Sequence, residues 1–488
     1  MKTRLRMTVL AAAVALAGCS FAPPARPPAP PSPEHYAVTP TPAESAEAGG
    51  VTQHFDAALP PVPDWWRLYG SDTLDAWVDE GLRNNASLDA ARHTLEAAHQ
   101  QFRAQVGATE WPSLDAQGQA TRERGLGLPK LGPPTSIYNV FAGQLSLNYT
   151  FDLFGATRYG IRQAAAQVDQ QAFQLDGARR ALAANIVIAA VNASSLAEQL
   201  AVTTRLAALA HEQADLAQKS YALGAASHDD VLGAQQNAAA LDASLPSLRF
   251  QAQRARHLLA VLMGRTPDQA PEPLPLDRLK LPDHVPVSVP SELLSQRPDV
   301  RAAEAVVQAA SAQVGVATAN MFPHLSLSAS LGSASFKDSQ LFTGSTSIWG
   351  VGLSLAQPIF HGGALRAQRK AAIADYEASV SQYRQTVLNA FQNVADTLTA
   401  LQQDALALQA AQAASAAAGQ SHADAQSRYR LGAVSYPATL LSEQRWQNAR
   451  LTDIQAAAAR LADTAALYQA MGEAPQTSRD VARNEATR

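Results

Sequence analysis

The sequence predicts a mixed α and β fold that is mostly α and contains two copies of one unit. Three observations carry this prediction: long tracts without proline, motifs that recur 208 residues apart, and short segments of alternating polarity. The 488-residue chain is 47% hydrophobic but only 6% aromatic and 16% charged, which is typical of closely packed, alanine-rich helices. Its formal charge of −4 gives no support for nucleic-acid binding.

The N-terminus has the features of a secretory signal. A cationic start precedes the apolar segment Met7 to Ala17, which is too short for a membrane-spanning helix, so residues 1–18 are predicted to be a signal peptide. The only cysteine, Cys19, follows Leu-Ala-Gly, and this run is similar to the lipobox of bacterial lipoproteins. The alternative is an ordinary secreted protein that keeps a free thiol.

The lipobox resemblance implies N-palmitoyl and S-diacylglycerol groups on Cys19, and no other cofactor is expected. Residues 19–63 would then be the lipidated cysteine and a tether. The segment 22–63 is rich in proline, which fixes φ and removes backbone donors. It is therefore predicted to be an extended tether rather than part of a core.

Two repeats follow the tether, residues 64–270 and residues 271–472, before a polar C-terminal tail at 473–488. A period of about 210 residues is far longer than that of a solenoid repeat, so two structural halves are expected. Two pairs of motifs share the offset of 208: residues 221–227 with 429–435, and residues 262–264 with 470–472.

Each repeat contains a predicted pair of strands, at about 112–153 and about 323–360. Residues 145–151 alternate between large apolar and polar side chains, which gives the strand one apolar and one polar face. The apolar face would be the core of a soluble sheet or the lipid-facing side of a transmembrane barrel, and the strands leave both open. Four strands are too few to close a barrel, so several chains would have to combine theirs.

The long helices are predicted from the absence of proline, which interrupts helices. No proline lies between Pro134 and Pro246, or between Pro358 and Pro437. Helices are expected at about 156–223 and 363–431, each about 100 Å long, with return helices at about 229–263 and 437–471. Helices of this length need partners along their whole length, in a bundle, a helical barrel or an oligomer.

The turns between each long helix and its return helix carry the repeated motif. Gly224 and Gly432 suit the position that follows a helix C-terminus. Ser227 and Ser435 suit the N-caps of the return helices.

Asp229 and Asp230 follow the first of these turns. They could complement the dipole of the return helix. In an oligomer they could instead form a ring of carboxylates around an aperture and favour cations. The sequence leaves the two interpretations equal.

The sequence shows no catalytic constellation, phosphate-binding loop or multi-cysteine site, so neither an enzyme nor a metal protein is predicted. His228 stands beside two aspartates, but adjacent residues rarely converge on one ion. Eight aromatic residues near the strand ends could form a belt at a bilayer interface or simply pack on the sheet. They are Tyr138, Phe141, Tyr149, Phe151, Phe154, Phe342, Trp349 and Phe360.

Taken together and in order, the motifs resemble the TolC-like outer membrane factors, in their lipoprotein (NodT-like) branch. The resemblance covers about residues 64 to 472. Besides the two Tyr-x-Leu-Gly-Ala-x-Ser turns, it rests on Asp64–Asp72, Leu82–Leu88, Tyr149–Gly155 with Arg158, Arg297–Glu304 and Gln357–Gly363. His361 and the Tyr436-Pro437 pair depart from the family pattern.

The resemblance implies a homotrimer whose pooled strands form one transmembrane β-barrel and whose long helices form a periplasmic α-barrel. It would be the exit duct of a tripartite efflux system, joined to an inner-membrane pump by a periplasmic adaptor. The adaptor would contact the tips, at Tyr221, Leu223, Gly224, Ser227, Tyr429, Leu431, Gly432 and Ser435. The strand-to-helix turns would be formed by Asp152, Phe154, Gly155, Pro358, Phe360, Gly362 and Gly363.

A structural outer-membrane lipoprotein that tethers envelope layers is the alternative function. It would need the long helices but not the duplicated strand pairs. A lipid-anchored periplasmic enzyme would need a cluster of titratable residues that the sequence does not show. The exported substrate cannot be read from the sequence.

Overall fold

The structure is a computed structural model that describes residues 21–27, 29, 35–36, 42–56, 59, 62–126, 135–287 and 297–471. The predicted signal peptide, Cys19 and the C-terminal tail lie outside these residues. The chain divides into two compact units, and each unit takes residues from both predicted repeats. The repeat boundaries therefore remain a prediction about the sequence.

The elements alternate along the chain as short helices, a strand pair, a long helix and a return helix. The helices are α1 (Asp72–Asn84), α2 (Ala86–Glu110), α3 (Ala156–Ala222), α4 (His228–Leu262), α5 (Pro298–Ala319), α6 (Ala364–Arg430) and α7 (Tyr436–Met471). The strands are β1 (His54–Asp56), β2 (Ser113–Leu126), β3 (Thr135–Phe151), β4 (His284–Pro286), β5 (His324–Ser335) and β6 (Ser347–Ala356).

The first unit, called the sheet unit here, contains Thr94–Ala172, Ala302–Arg384 and the described residues up to Ala29. Its four strands form one antiparallel sheet in the order β2-β3-β5-β6. The strand pairs of the two predicted repeats thus meet where β3 pairs with β5.

The register of this sheet collects apolar side chains on one face, because directly paired residues point to the same side. Across the sheet, Leu145 pairs with Leu331 and Leu331 pairs with Trp349. The next row places Ser146 beside Ser330. The other apolar rows are Leu114-Leu147-Ala329-Val351, Tyr149-Leu327-Leu353 and Phe151-Leu325-Leu355.

This apolar face is exposed in the single chain. Trp349 is 77% exposed and Leu353 is 66% exposed, although both are large apolar residues. An exposed apolar sheet face of this extent marks a surface that is covered by another chain or by lipid. The alternating strands were compatible with a soluble core or with a lipid-facing surface. The exposure of this face argues against a soluble core within the single chain.

The second unit, called the helix unit here, contains the described residues of Pro30–His93, Phe173–Arg301 and Gln385–Arg488. The two long helices, α3 and α6, have 67 residues each and supply residues to both units. At 1.5 Å per residue each is about 100 Å long. Their ends lie within one residue of the predicted ones.

Helix α3 is long and apolar enough to cross a membrane by length and composition. However, 61% of its apolar window is buried within the protein. Burial of this kind is typical of a core helix, because alanine and valine at helical spacing pack closely against neighbouring helices.

Residues 44–56, called the strap here, are packed rather than free, so the prediction of a simple tether over 22–63 was incomplete. The side chain of Gln53 is fully buried, and its Nε2 donates to the Pro282 carbonyl and to Thr464 Oγ1. Strand β1 pairs in parallel with β4. The strap contains no proline, so its backbone donors remain available for these bonds.

Candidate functional site

The turns that close the two long helices have the same backbone geometry. At the first turn Gly224 has a φ of +74°, and the Ala225 N–H donates to the Ser220 carbonyl at 2.8 Å. At the second turn Gly432 has a φ of +73°, and the Ala433 N–H makes the equivalent bond to Arg428 at 2.8 Å. Both are Schellman motifs, which need glycine at the left-handed position.

Each turn presents a leucine to solvent. Leu223 is 85% exposed and Leu431 is 83% exposed, whereas Tyr221 and Tyr429 are about half as exposed. The tyrosine rings pack on the first residue of the return helix, Tyr221 on His228 at 5.4 Å and Tyr429 on Tyr436 at 5.3 Å between ring centroids. The repeated motif therefore produces two similar apolar tips.

The return helices begin differently. Ser227 caps α4 in a capping box: its Oγ accepts from the Asp230 N–H at 3.1 Å, and the Asp230 carboxylate accepts from the Ser227 N–H at 2.9 Å. At the second turn Ser435 is followed at the equivalent third position by Ala438, which has no side-chain acceptor. The capping box is thus confined to the first tip.

The capping box decides what Asp230 does in this structure. Hydrogen bonds from the Ser227 side chain and backbone hold the pKa of the Asp230 carboxyl below its usual range. Oδ2 of the Asp230 carboxylate is already engaged at the helix start. Asp229, the next residue towards the tip, makes no part of the capping box.

Polar contacts join helix α7 to helix α3. The Tyr436 hydroxyl donates to Glu212 at 2.5 Å, and this bond raises the pKa of Tyr436. Arg205 pairs with Glu443 at 2.7 Å. These contacts were not predicted from the sequence, where Tyr436 was noted only as a departure from the family pattern. That departure, a tyrosine directly before Pro437, was the available signal.

The first strand-to-helix turn is built on Asp152. Its carboxylate accepts from the backbone N–H groups of Thr157 and Arg158, which are otherwise unpaired at the start of α3, and it pairs with the Arg158 guanidinium at 3.2 Å. Gly155 has a φ of +87°. Phe154 stacks on Phe322, with ring centroids 5.0 Å apart.

The second strand-to-helix turn is more open. Gly362 and Gly363 both have positive φ, and space around their backbones is free of close neighbours. Phe360 follows Pro358 and is 85% exposed, unlike its counterpart Phe154. The two predicted turns exist, but the structure does not bring their residues together into one site.

The described chain begins close to the first of these turns. The Phe21 ring packs at a tilt against the Phe322 ring, with centroids 4.8 Å apart, and the Phe21 N–H donates to the Tyr159 hydroxyl. The Pro23 carbonyl accepts from Ser311 at 2.7 Å. The residue two positions after Cys19 is therefore fixed beside the end of strand β3.

Four of the aromatic residues form two groups towards the two ends of strand β3. Tyr138 and Phe141 lie towards one end of β3, where Tyr138 packs on Phe336 at 5.7 Å. Tyr149 and Phe151 lie at the other end and contact each other at 5.0 Å. The ten residue steps from Phe141 to Phe151 span about 33 Å along the strand, which is close to the thickness of a bilayer's apolar region.

Within the described part of the chain, no group of three or more His, Cys, Asp or Glu side chains is arranged to hold a metal ion. His228 contacts Tyr221 and lies at a helix start rather than in a pocket.

Comparisons with known proteins agree on one class. The sequence pattern of the family described as outer membrane efflux protein matches residues 77–265 and 289–473. The chain is 31% identical to outer membrane protein OprJ of Pseudomonas aeruginosa, over 82% of this chain and 81% of OprJ. It is 30% identical to nodulation protein T of Rhizobium leguminosarum bv. viciae, over 81% of this chain and 79% of that protein.

A solved structure of the outer-membrane channel OprN superposes with a TM-score of 0.77 and 26% identity, over 92% of this chain and 99% of OprN. Fold and matches define the protein as a channel of the outer membrane. The chain belongs to the outer membrane efflux protein family, which confirms the family, fold class and location that the sequence motifs implied.

Proposed function

We propose that this efflux channel is the passive exit duct of a tripartite system, working as a homotrimer rather than as an enzyme. An inner-membrane pump would supply the energy and a periplasmic adaptor would join pump and duct. The substrates would be small molecules. The uncovered apolar face of the sheet carries this proposal, because four open strands are stable in lipid only when other chains complete the barrel.

The two tips would contact the adaptor. Leu223 and Leu431 are large, apolar and almost fully exposed, which is typical of side chains that become buried against a partner. The duplicated tip motif would offer six such leucines in a trimer. Asp229 would remain free to influence ions near the aperture, whereas the capping role of Asp230 favours the structural interpretation for that residue.

Lipidation of Cys19 would place acyl chains at the sheet. The contact of Phe21 with Phe322 supports this, since it holds the start of the described chain beside a strand end and an aromatic group. Lipid and aromatic side chains would then mark the same bilayer interface.

A pair of arginine substitutions on β6 tests the barrel. Leu353 lies on the apolar face and Ser354 on the polar face, one residue apart. Arginine at a lipid-facing position near the bilayer centre costs about 2–4 kcal/mol, and a lumen position tolerates it. We expect Leu353→Arg to reduce trimers in isolated outer membranes strongly, while Ser354→Arg assembles and changes only conductance.

Equal assembly of both variants would contradict a lipid-facing role for this face. The structural-lipoprotein alternative makes that prediction, because there the sheet need not enter the membrane. Lack of assembly in both variants, with wild-type protein assembling, would also contradict the assignment of faces.

A further inference from the structure

A large cleft lies in the helix unit, away from the tips. Its volume is about 910 Å³, and it lies between the strap, the segment 276–286 and helices α6 and α7. Volumes of roughly 300–1,000 Å³ are usual for sites that hold drug-sized molecules. No residue of the tips or of the strand-to-helix turns lines it.

The walls of the cleft are apolar and well packed. Leucine and isoleucine side chains from three segments form them, and each is itself buried, so the walls are held in place by the unit's own core. Exposed apolar residues continue the surface at the rim. The wall residues are Leu276, Leu279, Leu408, Ile454 and Leu461, and the rim residues are Leu59, Val62 and Leu68.

Charge in the cleft is predominantly negative. Carboxylates from four positions line it, namely Glu198, Asp277, Asp283 and Asp453. Two cations accompany them, Lys280 and Arg460. The Arg460 guanidinium already donates to the side chains of Gln53 and Ser45 and to two strap carbonyls, so it cannot also serve a ligand.

Asp453 is the carboxylate best placed to meet a ligand cation. It stands on α7 next to Ile454, in the apolar wall, and burial raises the pKa of its carboxyl. Arg450 lowers the pKa in part, but its guanidinium lies over the Trp446 ring and donates to Gln447. A half-buried carboxylate without a close counter-ion gains most from a cation that arrives with a ligand.

We propose that this cleft binds a drug-sized amphiphilic cation, with its apolar body against the leucine walls and its ammonium group beside Asp453. Charge complementarity selects this occupant, because the carboxylates would repel an anion and a neutral ligand would leave Asp453 unpaired. This proposal does not rest on the channel function proposed above.

Binding of dansylcadaverine, a fluorescent apolar amine, tests the proposal on the full chain in nanodiscs of zwitterionic lipid. Its N-acetylated form has the same apolar body without the charge. We expect saturable binding of the amine, and binding of the acetylated form that is weaker by about tenfold, as for a lost charge-assisted hydrogen bond.

Three variants locate the site. Asp453→Asn should weaken the amine about tenfold and leave the acetylated probe unchanged. Ala457→Trp should abolish binding of both probes, because Ala457 lines the cleft and the indole would fill it. Asp424→Asn, at an exposed carboxylate of α6, serves as the control and should change neither. Unchanged circular dichroism and oligomer mass exclude misfolding.

Saturable binding that survives Ala457→Trp would place the probe elsewhere and overturn the proposal. Equal binding of the charged and neutral probes would overturn the role of Asp453. Absence of saturable binding to the wild type would also contradict the proposal, while leaving the channel function untouched, since conductance is measured separately.

Discussion

The two helical hairpins have the same lengths and turns but different interiors. The first, α3 with α4, has apolar residues at several positions where the second, α6 with α7, has larger polar, charged or aromatic ones. At the offset of 208, Arg460, Asp404, Asp463, His422 and Trp446 correspond to Ala252, Leu196, Ala255, Ala214 and Ala238. One backbone thus accommodates two kinds of interior.

One group of buried polar side chains in the second hairpin is paired around His422. The Ser442 hydroxyl donates to the Thr439 carbonyl at 2.6 Å, so its oxygen accepts from His422 Nδ1–H, and Gln426 donates to His422 Nε2 at 2.9 Å. Paired polar groups fix one helix register, whereas alanine surfaces can slide, so the second hairpin is the more specific of the two.

The strap is attached to this polar interior. Arg460, 1% exposed, holds strap oxygens, and the Tyr69 hydroxyl donates to the Leu461 carbonyl at 2.7 Å. The first hairpin has Ala252 where the second has Arg460. The difference explains why the N-terminal segment binds to α7 rather than to α4.

The largest effect is expected from Arg460→Ala, which makes the second hairpin resemble the first at this position. It leaves the buried Gln53 side chain and two carbonyls without their donor, and should lower the free energy of unfolding by about 3 kcal/mol or more. Denaturant unfolding in detergent measures it. Arg445→Ala, at an exposed site on the same helix, should change it by less than about 0.5 kcal/mol. Equal effects of the two substitutions would remove the distinction between the hairpins.

A smaller, pH-dependent effect is expected from Asp404→Asn. Burial, followed by the neighbouring Asp463, raises the pKa of Asp404 to about 7, with Arg460 opposing the shift. The folded state therefore keeps a proton that the unfolded state loses near its ordinary pKa of about 4. The stabilisation is complete below about pH 4 and is lost as the pH rises to 7.

Thermal unfolding across pH 4 to 8 tests the predicted loss of this stabilisation with rising pH. Relative to the wild type, Asp404→Asn should become progressively more stable as the pH rises, because the amide needs no proton. Asp396→Asn, at an exposed carboxylate of the same helix, should follow the wild-type profile. Parallel profiles of stability against pH for all three proteins would contradict the proposal that Asp404 keeps a proton in the folded state.

The caps of the two return helices are expected to differ in their contribution to stability by up to about 1 kcal/mol. Ser227→Ala removes the cap of α4 and should destabilise the first hairpin by about 1 kcal/mol, the usual cost of losing an N-cap. Ser435→Ala should cost less, since Ala438 cannot complete a capping box there. Hydrogen exchange of the first-turn amides compares the two substitutions. A larger increase of the exchange rate in α7 on Ser435→Ala than in α4 on Ser227→Ala would contradict the assignment.

The smallest effect is expected for ion selectivity. Asp229→Asn should lower the preference of the reconstituted channel for cations, because Asp229 lies outside the capping box. Asp230→Asn should affect selectivity less and helix stability more. Bilayer recordings in a salt gradient measure both; a larger selectivity change in Asp230→Asn would show that its carboxylate faces the aperture after all.

The sequence predicts the long elements well because their signals are local and repeated. Missing prolines predict two long helices, and the turn motifs on either side place the ends of α3 and α6 within one residue of those observed. Gly224 and Gly432 mark real Schellman turns. The polar interior could not be predicted, since Asp404 and Asp463 are 59 positions apart and meet only when α6 packs on α7. A weak signal existed in Arg460, a charged residue that follows four alanines.

The packing of the strap is a second feature that the sequence could not predict. Prolines on both sides of residues 43–59 made the whole segment resemble a tether, although this part has none. Its burial depends on acceptors and donors from three distant parts of the chain, at Pro282, Arg460 and Thr464. Such contacts are tertiary and leave no period in the sequence.

The most direct test of the central claim is planar-bilayer conductance of the purified, lipidated protein, with its mass determined in detergent. The account predicts trimers that form discrete channels, with cation preference sensitive to Asp229→Asn. Monomers without conductance would contradict it, because the exposed apolar face of a single sheet could not then be part of a closed barrel.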